Sequence, residues 1–87
     1  MYVYILRCAD DTLYTGSTTD IDRRIVEHNT SPRAAKYTRA RRPVVLVYQE
    51  SVKDLSTARS REAEIKQLTR NEKLVLIKKS LQEKRGV

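Results

Sequence analysis

The chain has 87 residues, 39% of them hydrophobic, and its 18 Lys and Arg exceed its 11 Asp and Glu to leave a net charge of +7. This length and composition indicate one small folded domain and exclude disordered or fibrous proteins. No apolar run approaches the roughly 18 residues that cross a bilayer, and no signal-peptide pattern opens the chain. Cys8 is the single cysteine, which excludes a disulfide framework and a multi-cysteine zinc finger. We expect a soluble, basic, cytoplasmic domain over residues 1–83 with a frayed tail over 84–87.

Two strands open the chain. Residues 2–8 are rich in β-branched and aromatic side chains, and residues 12–16 form a second strand that returns beside the first. A three-residue turn over 9–11 would place Tyr4 and Tyr14 on one face of the sheet. A two-residue turn would shift the register by one and place them on opposite faces. The residues alone leave both registers open.

A helix and a third strand follow. Capping residues at 17–20 precede Ile21, Ile25 and His28, which recur at helical spacing. After a basic loop with room for one short helical turn, residues 44–48 are apolar without alternation. Such a run predicts a strand that is buried on both faces and central in its sheet.

Two helices close the chain. Asp54 is the predicted cap of a helix that ends near Leu68, and a last helix covers residues 70–81. The order is ββα-loop-βαα. This order predicts an α+β fold with a small three-stranded, mainly antiparallel sheet flanked by helices.

The positive charge is concentrated. Residues 1–30 carry a net charge of −2, residues 31–49 carry +5, and residues 50–87 carry +4. A basic stretch of this kind favours a polyanionic partner, most commonly nucleic acid, although it could also be an ordinary solvated surface. A membrane surface is disfavoured because the helical segments mix charges of both signs.

Three polar residues fall where apolar ones are expected. At 100° per residue, Glu62 lies within the apolar stripe of its helix, whereas Glu64 lies on the opposite side. Arg24 and His28 flank the apolar stripe of the first helix, with Arg23 facing solvent. A buried salt bridge and an ordinary core histidine would explain them, but together they also suggest a functional site.

Several motifs carry a family resemblance. The tripeptides Tyr-Val-Tyr at 2–4 and Tyr-Thr-Gly at 14–16 precede Asp-Ile-Asp-Arg-Arg at 20–24, and a Glu-bearing helical segment covers 61–70. This ordered set resembles the GIY-YIG endonuclease superfamily. It is most similar to the small stand-alone members related to the nuclease domain of the bacterial UV-repair excinuclease.

The resemblance implies a metal-dependent endonuclease that hydrolyses phosphodiester bonds with one divalent ion, Mg²⁺ or Mn²⁺. It makes Glu62 the metal ligand and Arg24 the contact to the scissile phosphate. It makes Tyr4 the residue that activates or orients the attacking water, with Tyr14 holding phosphate or water beside it. His28 would relay a proton or orient Tyr4.

The resemblance also implies binding of nucleic acid, with branched or damaged DNA in repair or recombination as the favoured substrate and a protein partner that could supply specificity. The nucleic-acid contacts would be Gly16, Arg33, Lys36, Arg39, Arg41, Arg42 and Lys66. An alternative is a non-catalytic or partner-dependent nucleic-acid-binding module on the same fold. It is favoured by the small size of the chain and by the lack of a clear match to the family's late Asn, since Asn71, just after the Glu-bearing helix, is the only Asn there.

Overall fold

The computed structural model describes residues 1–85, and the side chains of residues 1–83. Its elements are β1 (Tyr2–Arg7), β2 (Leu13–Thr18), α1 (Ile21–Thr30), α2 (Lys36–Arg39), β3 (Val45–Ser51), α3 (Leu55–Gln67) and α4 (Arg70–Arg85). The predicted class and element order are confirmed. The helix α4 ends at Arg85, and residues 86 and 87 lie outside the described residues, so the frayed tail over 84–87 stays a prediction. No helix within residues 1–85 is long and apolar enough to cross a membrane.

The sheet is antiparallel with the order β2-β1-β3. The predicted central position of residues 44–48 is therefore wrong, since β3 lies at an edge and β1 lies in the centre. In β1, residues 3–6 are all buried. The predicted burial on both faces is also wrong, since Val45 is 45% exposed and Leu46, Val47 and Tyr48 are only partly buried.

A bulge in β3 explains why its apolar run lacks alternation. The register shifts so that Ile5 pairs with Tyr48 and Leu6 pairs with Leu46, which leaves Val47 as the extra residue. Leu46 consequently packs on the α1 side of the sheet, whereas Val47 and Tyr48 both pack on the α3 and α4 side.

Each face of the sheet has its own apolar cluster. The cluster on the α1 side consists of Tyr4, Leu6, Cys8, Ile21 and Val44. The cluster on the α3 and α4 side consists of Val3, Ile5, Ala58 and Ile65. Alternation along β1 thus sends Tyr4 toward α1 and its neighbours toward α3.

The β1–β2 hairpin has the three-residue turn. Cys8 donates a backbone hydrogen bond to Thr12 at 2.8 Å, and Asp11 lies in the left-handed region with φ of 67°. Aspartate tolerates that conformation better than most residues do. The resulting register pairs Tyr4 with Gly16.

Side-chain caps set where the two long flanking helices begin. Asp20 accepts a hydrogen bond from the backbone N–H of Arg23 at 3.1 Å at the start of α1. Asp54 accepts one from Thr57 at 2.8 Å at the start of α3. The caps fix the helical phase from which Arg24 and Glu62 project.

Candidate active site

Tyr4 lies at the centre of a polar cluster that also includes His28, Arg24 and Glu62. The phenol ring of Tyr4 lies over Gly16. A Cβ atom at residue 16 would be 2.6 Å from Tyr4 Oη and 2.7 Å from Cζ, far inside van der Waals contact. Glycine at this position therefore makes room for the phenol. The predicted contact of Gly16 with nucleic acid stays a prediction.

A buried hydrogen-bond chain runs from Tyr4 into α1 and α2. Tyr4 Oη lies 2.8 Å from His28 Nε2, and His28 Nδ1 lies 2.8 Å from Thr38 Oγ1. Thr38 Oγ1 in turn donates to the carbonyl oxygen of Ala35 at 3.0 Å. His28 and Thr38 have no solvent-exposed surface, so their polar atoms depend on one another.

Burial keeps Tyr4 and His28 neutral. It lowers the pKa of His28 to about 4, with the positive charges of Arg24 and Arg42 acting in the same direction. Burial also raises the pKa of Tyr4 to about 12. Near neutral pH the phenol therefore holds its proton, and the imidazole has one free lone pair.

Arg24 lies beside this pair. Its side chain is 26% exposed, whereas that of Arg23 is 75% exposed, as the helical phase predicts. The Arg24 guanidinium lowers the pKa of both Tyr4 and His28. Its ion pair with Glu27 is 3.9 Å long, which leaves its N–H groups available to an anion.

Tyr14 lies in an aromatic stack on the same face of the sheet. Its ring centroid is 5.3 Å from that of His28, edge to face, and 6.1 Å from that of Tyr37, nearly parallel. The Arg41 guanidinium covers Tyr37 at 3.9 Å and also pairs with Asp10 at 3.0 Å. The stack therefore packs against the His28 ring through Tyr14.

Glu62 reaches the cluster from α3. Its side chain is 22% exposed against 66% for Glu64, so the predicted difference between the two carboxylates is confirmed. Burial is the main cause of the raised pKa of Tyr4, and the negative charge of Glu62 adds a smaller contribution, so the carboxylate is near enough to the phenol to affect its charge. The expected alternative, a salt bridge, is also present, since Lys66 Nζ donates to Glu62 at 2.6 Å.

Comparison with known proteins identifies the family. The sequence model of the GIY-YIG catalytic domain matches residues 1–75. The chain belongs to the GIY-YIG family.

Relatives of the same size resemble it along nearly the whole chain. The UPF0213 protein of Syntrophus aciditrophicus is 56% identical over 79 residues, which cover 91% of each chain. The UPF0213 protein of Bacillus halodurans, solved by NMR, is 47% identical, covers 88% of this chain and 81% of its own, and superposes with a TM-score of 0.57. An NMR structure from E. faecalis is 42% identical, covers 93% and 85%, and gives a TM-score of 0.62.

The residues of this GIY-YIG domain fit a metal ion whose ligands come partly from the protein and partly from the substrate. Among the described residues, no three His, Cys, Asp or Glu side chains come together as a metal cage. Mg²⁺ commonly uses one or two carboxylates together with waters and substrate phosphates. Glu62 can supply that single carboxylate once Lys66 releases it.

The cations of the basic loop, residues 33–42, fall into two groups. Some form hydrogen bonds that hold the structure together, and others are exposed and available to a ligand. Arg42 donates to the carbonyl oxygen of His28 at 2.7 Å and to that of Ser31, and so caps the C-terminus of α1. Arg39 donates to Pro32 at 3.1 Å. The side chains of Arg33 and Lys36 are exposed and form no bond among the described residues.

Two residues next to the site were missed in the sequence. Thr38 is one, because a lone threonine in a short basic segment carries no periodic signal. Lys73 is the other, since it lies with Lys66 in a groove beside Tyr14 and Tyr37 although it comes from α4. Only the packing of α3 and α4 brings the two lysines together.

Proposed function

We propose that this protein is a metal-dependent endonuclease that hydrolyses phosphodiester bonds in DNA. The observation that supports this most directly is the buried hydrogen bond between Tyr4 and His28, flanked by Arg24 and Glu62. A neutral phenol, a neutral imidazole, a cation and a carboxylate around one point are what phosphodiester hydrolysis requires.

Tyr4 and His28 would move the proton of the attacking water. A phenol with a pKa near 12 is a weak acid and cannot serve as a base while it keeps its own proton. In the proposed step, Tyr4 Oη takes a proton from water and passes its own proton to His28 Nε2. The water oxygen forms the new bond to phosphorus, and the leaving oxygen departs with the electron pair of the broken bond.

Arg24 would couple substrate binding to this transfer. Its positive charge holds the pKa of His28 down in the free protein. A phosphate bound to Arg24 would offset that charge and raise the basicity of His28 at the moment when a base is needed. The same guanidinium would stabilise the charge that develops on the phosphate in the transition state.

Glu62 would hold the divalent ion, Mg²⁺ or Mn²⁺, against the phosphate. When bound, such an ion supplies Lewis-acid stabilisation to the phosphate oxygens. The Lys66 ammonium, released from Glu62, is placed to contact a neighbouring phosphate instead. Arg33 and Lys36 would extend that contact along the backbone.

The substrates proposed are branched or damaged DNA in repair or recombination, encountered in the cytoplasm. Contacts to the backbone alone do not read sequence, so structure in the DNA or a protein partner would supply specificity. One observation favours the alternative of a nucleic-acid-binding module without cleavage. It is the Glu62–Lys66 ion pair, which occupies the carboxylate that a metal would need.

A cleavage assay with two matched pairs of variants tests the proposal. Purified protein is incubated with Mg²⁺ or Mn²⁺ and labelled single-stranded, duplex or branched DNA. Glu62→Gln and Arg24→Gln should lower the cleavage rate by about 100-fold or more. Their neighbours Glu64→Gln and Arg23→Gln, which face away from the site, should leave it nearly unchanged.

DNA binding is measured in parallel by fluorescence anisotropy. Binding without cleavage by the unmodified protein, with every metal and substrate, would establish the binding module instead. Equal losses in Glu62→Gln and Glu64→Gln would show that the carboxylate facing Tyr4 has no special role.

A further inference from the structure

The short helix α2 places one side chain against the proposed catalytic pair. Thr38 is fully buried, whereas its neighbours Lys36 and Arg39 on the same helix are exposed. Its hydroxyl contacts His28 Nδ1 at 2.8 Å and the carbonyl oxygen of Ala35 at 3.0 Å. A threonine hydroxyl has one proton to donate, and the two contacts compete for it.

The contact to the Ala35 carbonyl, which also accepts from the backbone N–H groups of Thr38 and Arg39, favours one position for that proton. A carbonyl oxygen only accepts, so the 3.0 Å contact is a hydrogen bond only if Thr38 donates to it. Thr38 Oγ1 must then accept from His28, which puts the imidazole proton on Nδ1. Nε2 is left with a lone pair, and Tyr4 Oη donates to it. For a neutral imidazole, which burial maintains by lowering the pKa of His28 to about 4, no other assignment makes all three contacts hydrogen bonds at once.

We propose that Thr38 is a positioning residue that holds His28 in the Nδ1–H tautomer, so that Nε2 faces Tyr4 as a proton acceptor. The inference rests on the proposed function for its effect on catalysis, but the tautomer is a property of the folded protein alone. In the opposite tautomer, Nε2–H would donate to Tyr4 Oη. His28 would then be unable to take the phenol proton, and the proposed proton path would be blocked.

The proposal also gives α2 two tasks. Its exposed face carries Lys36, which would contact the DNA backbone, and its buried face fixes the catalytic histidine. A displaced α2 would withdraw the Thr38 acceptor from His28 Nδ1. The basic loop is therefore part of the catalytic arrangement as well as of the binding surface.

The tautomer is tested by NMR on ¹⁵N-labelled protein. His28 is the only histidine, so its two ring nitrogens are assigned without ambiguity in a long-range ¹H–¹⁵N spectrum. Near neutral pH we expect a protonated Nδ1 and an unprotonated Nε2. Thr38→Val keeps the volume but removes both hydrogen bonds, and it would leave the buried Nδ1–H without an acceptor. The variant should therefore shift to the Nε2–H tautomer, whereas Thr38→Ser should retain the original one.

Kinetics provide the second readout. Thr38→Val should lower kcat by at least about tenfold, because it impairs proton transfer, and change KM for DNA by less than about twofold. Thr38→Ser should restore kcat. Thr38→Ala takes the place of Thr38→Val if the valine variant does not fold.

The proposal is overturned if the unmodified protein carries the Nε2–H tautomer, or if a folded Thr38→Val variant keeps Nδ1–H. A normal kcat in a variant with the switched tautomer would overturn it as well. If the unmodified protein cleaves no DNA, the proposed nuclease function fails, and the spectra alone decide whether Thr38 holds the tautomer.

Discussion

Tyr4 and Gly16 face each other across the first strand pair, and the phenol of Tyr4 fills the space that a side chain at residue 16 would need. The bare backbone of Gly16 lets the hydroxyl pass over β2 to meet His28. The packing of Tyr4, the last residue of the first tripeptide, therefore requires glycine at the end of the second tripeptide.

Gly16→Ala should displace Tyr4. The added methyl carbon would lie 2.6 Å from Oη, and such overpacking typically costs about 1–3 kcal/mol of unfolding free energy. Cleavage should fall with it, because the bond to His28 is lost. Urea unfolding of Gly16→Ala in a Tyr4→Ala background is the control. There the cost should disappear, and an equal cost in both backgrounds would show that Tyr4 is not what the methyl group meets.

Mutation of the cations of the basic loop should have two different effects, one on stability and one on DNA binding. Arg42→Gln removes bonds to the last carbonyls of α1 and should lower the unfolding free energy by about 1–3 kcal/mol. Lys36→Gln should change it by less than about 0.5 kcal/mol, since its side chain is exposed. It should instead reduce the salt dependence of DNA binding by about one phosphate contact. Thermal unfolding and salt titrations distinguish the two, and equal behaviour of both variants would contradict the division.

The sequence predicts the elements of this fold better than their pairing. Caps and periodicity place the helices, since both are local properties of the chain. The hairpin register depends on the left-handed conformation of Asp11, which no pattern around Asp10 and Asp11 requires. The central position predicted for residues 44–48 was wrong because the run lacks alternation on account of the bulge at Val47, and apolar content does not report which edges of a strand are paired.

At the site, too, local properties can be predicted from the sequence, whereas contacts between distant residues cannot. The inward phase of Arg24 and Glu62 follows from helical geometry and is visible in the sequence. The role of Arg42 is not, because a count of charges contains no information on the carbonyl groups that a guanidinium will meet. Thr38 meets His28 only after α2 folds against α1, so no local signal could have identified it.

Lys66→Gln should free Glu62 for a divalent ion. The 2.6 Å ion pair is half-exposed, and such pairs contribute about 0–1 kcal/mol. Mn²⁺ affinity, measured by calorimetry or by the electron-spin resonance of free Mn²⁺, should rise by up to about fivefold. Lys73→Gln is the matched control, because Lys73 lines the same groove and forms no ion pair within the described residues. Equal Mn²⁺ affinity in both variants and in the unmodified protein would argue against Glu62 as the ligand.

Stability should depend on pH through His28. Its pKa is about 4 in the folded protein and 6.5 when unperturbed, because burial disfavours the imidazolium. Between these values the unfolded state binds more protons than the folded state, so stability decreases as the pH falls. The contribution is fully present above about pH 6.5, and about 3 kcal/mol of it should be lost by about pH 4.

His28→Gln removes this titrating group and leaves every carboxylate in place. Urea unfolding of both proteins between about pH 7 and pH 4 should therefore give profiles that converge as the pH falls. The single histidine should also show no ¹H chemical-shift titration above about pH 5. Parallel profiles, or a titration midpoint near 6.5, would mean that His28 is solvated and free of Tyr4, and the proton path from phenol to imidazole would lose its physical basis.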